Sequence, residues 1–403
     1  AERVLGVMHL TCGLIMLGAV ACMANGQSPA VINAVFFGFM LTYYPTLALS
    51  NTVALHNMQD AKKQFPRIRV LGTIGWIVAG VTLSYLGWGT KIYMFYLAAG
   101  AAVLLGVFSF SLPHTPPTRT GKLSVRELLG LDALVLLKDR SYLVFIICSM
   151  LISIPLAFYY QLTSRVVEMS DFGAFGFLQG LKNLLKMGDV IGATMSLGQV
   201  SEIVFMLVMP FFFKRFGVKW MLAVGMSAWV LRYALFSFGA PEQVRWMILS
   251  GILLHGVCYD FFFVTGQIYT DRVAPRAIRG QAQGMLVLFT LGLGMFIGAQ
   301  VAGIVETRYT TEASQAYAAQ IVESRAEIRQ LSERVESGEA TNTAQSRIET
   351  LRVETIPQLR KKQLEAIDWR PLWALPAGFA AVILCVFVTL FKENQPGVES
   401  PEI

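Results

Sequence analysis

Runs of about twenty apolar residues recur along this chain, and that recurrence constrains its fold more than any other feature. A helix of that length matches the ~30 Å hydrocarbon core of a bilayer. Such runs lie at 3–24, 29–51, 68–88, 91–112, 142–163, 190–213, 218–239, 247–268, 281–304 and 370–391. Turn signals separate them, among them NGQS at 25–28, GWGT at 87–90 and GAPE at 239–242. Only 15% of the 403 residues are charged, against about 25% in a soluble domain. The expected class is an all-α polytopic membrane protein.

Charge along the loops sets the expected orientation. Lys62, Lys63, Arg67 and Arg69, then Arg119, Lys122, Arg126, Lys138 and Arg140, then Lys214, Arg215 and Lys219, then Arg272, Arg276 and Arg279 fall on one side, with Arg3 and Lys392. The other short loops hold Lys91, Arg165, Lys182, Lys186 and Arg245. The positive-inside rule places the first set and the C-terminus in the cytoplasm. The net charge of +7 is therefore read as loop charge. No basic stripe interleaved with aromatics points to nucleic acid. The five cysteines (Cys12, Cys22, Cys148, Cys258 and Cys385) all lie in apolar runs without metal-ligand spacing, so neither a metal nor a disulfide framework is expected.

The boundaries read from these patterns are a first helix bundle at 1–112 and a cytoplasmic linker at 113–141. A second bundle follows at 142–304, then a polar segment at 305–369, and a last span with its tail at 370–403. Four spans precede the linker and six follow it. Because transporters are commonly built from equal repeats, two further spans are expected upstream of the abrupt opening AERVLGVMHL. The polar segment carries Ile321, Ile328, Leu331 and Val335 at coiled-coil spacing. A turn, ESGEATNT, follows at 336–343. A second stripe of Ile348, Leu351, Ile356, Leu359 and Leu364 is interrupted at Pro357. It is expected to form an extracytoplasmic helical hairpin, either a spacer packed on itself or an arm for a partner yet unknown.

Polar residues inside the spans carry the chemistry. Asp260 stands in LLHGVCYDFFFVTGQ, with His255 and Tyr259 close by. Gln199 and Glu202 are three apart in GQVSEIVF and share a helix face; Arg69, Thr73 and Trp76 share another; Arg232 sits within WVLRYALF. A charge in hydrocarbon costs at least about 2.5 kcal/mol and normally faces the bundle interior. Each residue has two readings. Arg69 is a snorkelling cation or a site residue; Glu202 and Asp260 form a structural ion-pair network or carry protons. Trp76 and Tyr259 pack the core or stack on a ligand; His255 is a hydrogen-bonded interior residue or a proton carrier. Arg232 is read as structural, since its own face offers no aromatic or amide partner.

The stretches LTYYPTLALSNTVALHN, FPRIRVLGTIGW, QVSEIVFMLVMPFFFKRFGVKWML, AWVLRYALF and CYDFFFVTGQIYTDRVAPRAIRGQAQGM resemble the bacterial nucleoside:proton symporter family of the major facilitator superfamily. The resemblance covers nearly all of 1–304 and resumes at 370, leaving the hairpin without a counterpart. It implies a two-bundle fold in which ten of twelve transmembrane helices are present here. The opening residues then look like the tail of the loop between the second and third helices. It implies substrate-binding roles for Arg69, Thr73, Trp76, Tyr160, Gln199, Glu202, His255, Tyr259 and Asp260, and proton coupling by Asp260 and Glu202. Four positions depart from the family pattern: Ala157 and Tyr160 replace a glutamine and an asparagine, His255 a tyrosine, and Trp76 a phenylalanine.

The expected function is import of nucleosides by proton symport with alternating access, in the inner membrane of a bacterium. The expected partners are a nucleoside, protons and the lipid bilayer. No cofactor and no enzymatic activity are expected, since neither a nucleophile–base pair nor a motif such as HExxH is present. Two other readings stay open: a transporter of another polar solute such as a sugar or nucleobase, and a scaffold or sensor that works through the hairpin.

Overall fold

In a computed structural model the chain is helices joined by short connections over its described residues, which are 1–58, 61–89, 91–116, 126, 130–187, 189–337 and 342–393. The elements are α1 (Glu2–Ala24), α2 (Pro29–His56), α3 (Ala61–Leu86), α4 (Tyr93–Ser109), α5 (Arg140–Met169), α6 (Gly176–Leu185), α7 (Ile191–Gly239), α8 (Arg245–Val273) and α9 (Arg279–Tyr309). The hairpin helices α10 (Glu312–Glu336), α11 (Asn342–Thr350) and α12 (Ile356–Glu365) follow, then α13 (Trp369–Leu390). Helix occupies the body of all ten expected runs. Among the described residues seven helices are long and apolar enough to cross a membrane, and Val70–Leu86 and Tyr93–Ser109 are shorter apolar helices.

Two of the expected runs are joined. α7 is two helical arms, covering 190–213 and 218–239, that meet at a kink at Gly217, where the backbone is not helical (φ 69°, ψ −177°). Glycine alone takes that left-handed φ without steric cost. The Glu393 carboxylate accepts from the Val218 and Lys219 amides, both at 3.3 Å, at the start of the second arm. That places an anion on a helix N-terminus, where free amides and the dipole favour it.

The chain divides into two compact units. The first comprises Ala1–Lys138, Gly176–Pro210 and Gln267–Leu286, and the second Asp139–Phe175, Phe211–Gly266 and Val287–Ile403. In the first, α1 packs against α2 and α4, and α3 crosses the first arm of α7. α6 lies in a stretch without an expected element. It is short and amphipathic, with Phe177, Leu184 and Leu185 exposed and Leu178 buried. Of the expected linker, a 3-10 turn at Leu131–Lys138 is described; Arg119 and Lys122 lie outside the described residues. So do the side chains of Lys62, Lys63, Arg67 and Arg276.

In the second unit α5 is the central helix, packed against α9 and α13. Its start is capped by Asp139, which accepts from the Tyr142 amide at 2.7 Å. Its other end is held by the hairpin. Arg360 of α12 makes a two-pronged ion pair with Glu168 (3.2 and 3.1 Å), and Arg165 pairs with Glu306 of α9. At the hairpin's base Thr310 and Ile367 form an antiparallel bridge, and the Asp368 amide donates to the Tyr309 carbonyl at 3.0 Å. Ile321, Ile348, Leu351 and Leu364 are buried along the seam, while Ile328, Leu331, Val335, Ile356 and Leu359 are half-buried. The expected turn at 336–343 falls largely at 338–341, outside the described residues. The regular α-helix is interrupted just before Pro357 rather than at it. A π-helical turn at Leu351–Thr355 precedes α12, and Pro357 sits in the first turn of that helix, where its missing N–H leaves no intrahelical bond unmade.

Across the hairpin Arg347 donates to Glu327 at 2.8 and 3.2 Å, and these bonds hold the Glu327 carboxyl below the ordinary carboxylate value. A lowered folded-state value contributes stability above the unfolded value, and that contribution is lost as pH falls through the lowered one. Thermal unfolding of a 309–368 peptide, followed by circular dichroism, is expected to shift to lower temperature between pH 5 and pH 3. Glu327→Gln is expected to lower the midpoint at pH 7 and to weaken the acid dependence. An acid profile identical in wild type and variant contradicts the assignment.

Candidate functional site

The polar residues singled out in the sequence form two sets, one in each unit. In the first, α3 and the first arm of α7 run antiparallel, and contacts along the crossing fix their register. At one end Ser84 donates to Asp189 at 3.2 Å and accepts from the Ala193 amide at 3.0 Å; Asp189 also accepts from the Ile191 amide at 2.9 Å. One turn further the helices touch backbone to backbone. A Cβ at Gly80 meets the Ser196 hydroxyl, and one at Gly192 meets the Gly80 carbonyl, so no larger residue fits at either position. Two turns beyond, the Thr73 hydroxyl donates to the Glu202 carboxylate at 2.9 Å. Both groups are buried, Thr73 at 1% and Glu202 at 5% exposure.

The glycine contact brings the two helices close enough for the short threonine side chain to reach that carboxylate. Gln199 lies one turn from Glu202 and is half-buried. Trp76 is 65% exposed and has no ring contact among the described residues. Arg69 lies on α3, but its side chain is outside the described residues.

The second set is built on α5, the second arm of α7, and α8. α8 widens to a π-helix at Tyr259–Val264, and Asp260, fully buried, is its second residue. A π turn carries an extra residue that re-aims its side chains, and such turns are frequent at functional sites. Gly225 of α7 faces this turn: a Cβ there stands 2.9 Å from the Phe262 amide nitrogen. His255 is 3% exposed; its ring is stacked on Tyr159 at 5.6 Å and tilted on Tyr259 at 5.9 Å. Tyr259 continues to Phe263 at 5.3 Å. Tyr160 meets the edge of Tyr159 at 5.7 Å and is 49% exposed. Ala157, where the family pattern has an amide, is buried against the backbone of Gly298.

Arg232 differs from its expected surroundings. An aromatic partner does exist, supplied by another helix: the guanidinium carbon lies 4.3 Å from the centre of the Tyr159 ring. None of its guanidinium nitrogens has a hydrogen-bond partner among the described residues. Tyr159 escaped the sequence reading too; the only signal was a polar ring beside Tyr160 in the middle of a span.

This arrangement can be set beside known proteins. The model of the nucleoside H+ symporter family matches residues 1–326. The chain belongs to that family. It is accordingly a multi-pass membrane transporter that couples nucleoside movement to protons. It is 41% identical over 315 residues to the putative nucleoside transporter YegT of Escherichia coli K12, covering 76% of this chain and 69% of that protein. It is 32% identical over 384 residues to the nucleoside permease NupG of the same organism, covering 93% and 78%. A crystal structure of a NupG mutant superposes with a TM-score of 0.70 at 25% identity, covering 97% of this chain and 83% of that one. The all-helical major facilitator fold expected from the sequence therefore holds for this symporter.

The Thr73–Glu202 bond is open to a direct test. Thr73→Val keeps the shape and deletes the donor, leaving a buried carboxylate short of one hydrogen bond, which costs about 1–3 kcal/mol. The purified variant is expected to unfold several degrees lower than wild type, whereas Thr73→Ser stays close to it. Equal midpoints for wild type and Thr73→Val are incompatible with the bond stabilising this crossing.

Proposed function

We propose that this symporter imports nucleosides across the inner membrane of a bacterium, with its C-terminus in the cytoplasm, by alternating access. Glu202 and Asp260 are its proton carriers. The observation that carries the reading is a buried carboxylate in each unit: Glu202, which accepts from the Thr73 hydroxyl at a tight helix crossing, and Asp260, within a π turn lined by aromatic rings. A symporter needs groups whose proton affinity changes when their surroundings change. Burial and neighbouring charges act on a carboxylate in opposite directions, so a rearrangement at either place alters its hold on a proton.

In the same reading Arg69, Thr73, Gln199 and Glu202 hydrogen-bond ribose hydroxyls or base edges. Trp76 and Tyr259 offer ring surface to the base, and Tyr160 and His255 line the remainder. The 65% exposure of Trp76 and the 49% exposure of Tyr160 support this, because each leaves a ring face uncovered by protein. Lys392 and the clustered lysines and arginines of the first loop set support the orientation.

Asp260→Asn separates a coupling role from a structural one. The amide keeps the shape and some hydrogen bonding but neither gains nor loses a proton. In proteoliposomes with an imposed pH gradient, accumulation of radiolabelled nucleoside is expected to be abolished, while counterflow exchange persists and the protein inserts normally. Wild-type accumulation by Asp260→Asn removes Asp260 from the coupling and leaves Glu202 to carry it.

A further inference from the structure

Arg232 is a cation set among aromatic rings. Its side chain is fully buried, and none of its three guanidinium nitrogens has a hydrogen-bond partner among the described residues. Taking a cation out of water is costly, so an apolar side chain of similar length fits such a place at lower cost. One of its contacts is a ring face. Its guanidinium lies over Tyr159 at 4.3 Å, close enough for a desolvated cation–π interaction, and a planar guanidinium also stacks as a lysine ammonium does not.

Tyr159 is in turn the hub of the second set. Its hydroxyl has no hydrogen-bond partner among the described residues, so contacts on its faces and edge fix the ring. Phe236 and His255 lie nearly parallel to it, at 13° and 16°, and Tyr160 meets it edge-on. Beyond His255 the series continues to Tyr259, next to Asp260 in the π turn. The arginine is thus one ring removed from His255 and Tyr160 and two from Tyr259. Those three are the residues to which the proposed function gives substrate contacts.

We propose that Arg232 is a positioning residue of the transport site: its guanidinium fixes the Tyr159 ring, and through that ring it orders His255, Tyr160 and Tyr259 for nucleoside binding. The inference rests on the proposed binding roles of those residues. It explains why a cation is retained where a hydrocarbon fits, and why its partner is a tyrosine whose hydroxyl is unused. It also assigns a role to two residues that the family resemblance leaves without one.

The test is a double-mutant cycle on nucleoside binding with the full chain in detergent. Calorimetry is run with uridine, adenosine, inosine and guanosine, and the tightest-bound of these serves as probe. Tyr159→Phe keeps the ring and is expected to bind within about twofold of wild type. Arg232→Met and Tyr159→Leu each remove one side of the stack and are expected to raise Kd about tenfold. The double variant should be no weaker than either single one, because the two act as a unit. In uptake assays KM should rise with the maximal rate nearly unchanged, as for a loss of ordinary substrate binding.

If Arg232→Met does not remain monodisperse, Arg232→Lys decides. It keeps the charge without the planar face, and its Kd is expected to rise about threefold. Wild-type Kd in Arg232→Met, or in Arg232→Lys where that variant decides, overturns the proposal, as do additive losses in the double variant. A wild-type chain that binds none of the four nucleosides removes the functional reading, and the proposal falls with it.

Discussion

Hydrocarbon offers no hydrogen bonds, and the rest of this structure follows from that. Every backbone amide and carbonyl within the spans must find its partner inside the protein, so the described spans are helices. Every polar side chain placed there must also be met from within. The exceptions to regular helix are then informative, because each exposes backbone groups that need another partner. At Gly217 the helix turns and the Glu393 carboxylate takes the freed amides. At Tyr259–Val264 the helix widens, and the buried carboxylate of Asp260 lies within the widened turn. Irregular backbone and a buried carboxylate thus coincide at Asp260, for which proton coupling is proposed.

The two carboxylates use different means to stay buried. Glu202 depends on proximity: glycine against backbone at Gly80 and Gly192 draws α3 and α7 together, and the approach puts Thr73 within reach of its oxygen. Asp260 depends on the π turn and on Gly225, whose missing side chain leaves room for the Phe262 backbone. In both places a glycine in one helix determines the surroundings of an acid in another. Under the coupling roles proposed for Glu202 and Asp260, substitutions at these glycines are expected to act on transport by displacing a carboxylate they do not touch.

Much of the fold was legible because one signal, the apolar run, has one physical solution in lipid. The helix-face pairing of Arg69 with Thr73, and of Gln199 with Glu202, followed from i, i+3 and i, i+4 spacing, and the Thr73–Glu202 bond joins one member of each pair. The rest depended on contacts between helices, which spacing along one helix does not encode. Arg232 looked unpartnered because its partner is on α5. Ala157 looked like a lost substrate amide, yet it packs against Gly298 of α9. The π turns left no trace that periodicity detects, since one extra residue shifts the phase without changing the composition. The hairpin's seam was legible and Pro357 was misleading, because a wider turn before a proline lets a helix restart.

The hairpin has a mechanical consequence for the helix that bears Tyr159 and Tyr160. Glu168 and Arg165 are three residues apart, on one face at the end of α5. Glu168 is gripped by Arg360 of the hairpin and Arg165 by Glu306 of α9. Partly exposed pairs of this kind each contribute about 0–1 kcal/mol, so the clamp adds little to stability. Its geometry matters more. A two-pronged arginine–carboxylate contact fixes direction as well as distance, and α5 is a continuous helix from Arg140 to Met169. Residue 160 is two turns from residue 168, so a rotation imposed at the clamp turns the exposed Tyr160 ring and the buried Tyr159 hub together. The hairpin is therefore attached by this pair to the helix that bears Tyr159 and Tyr160.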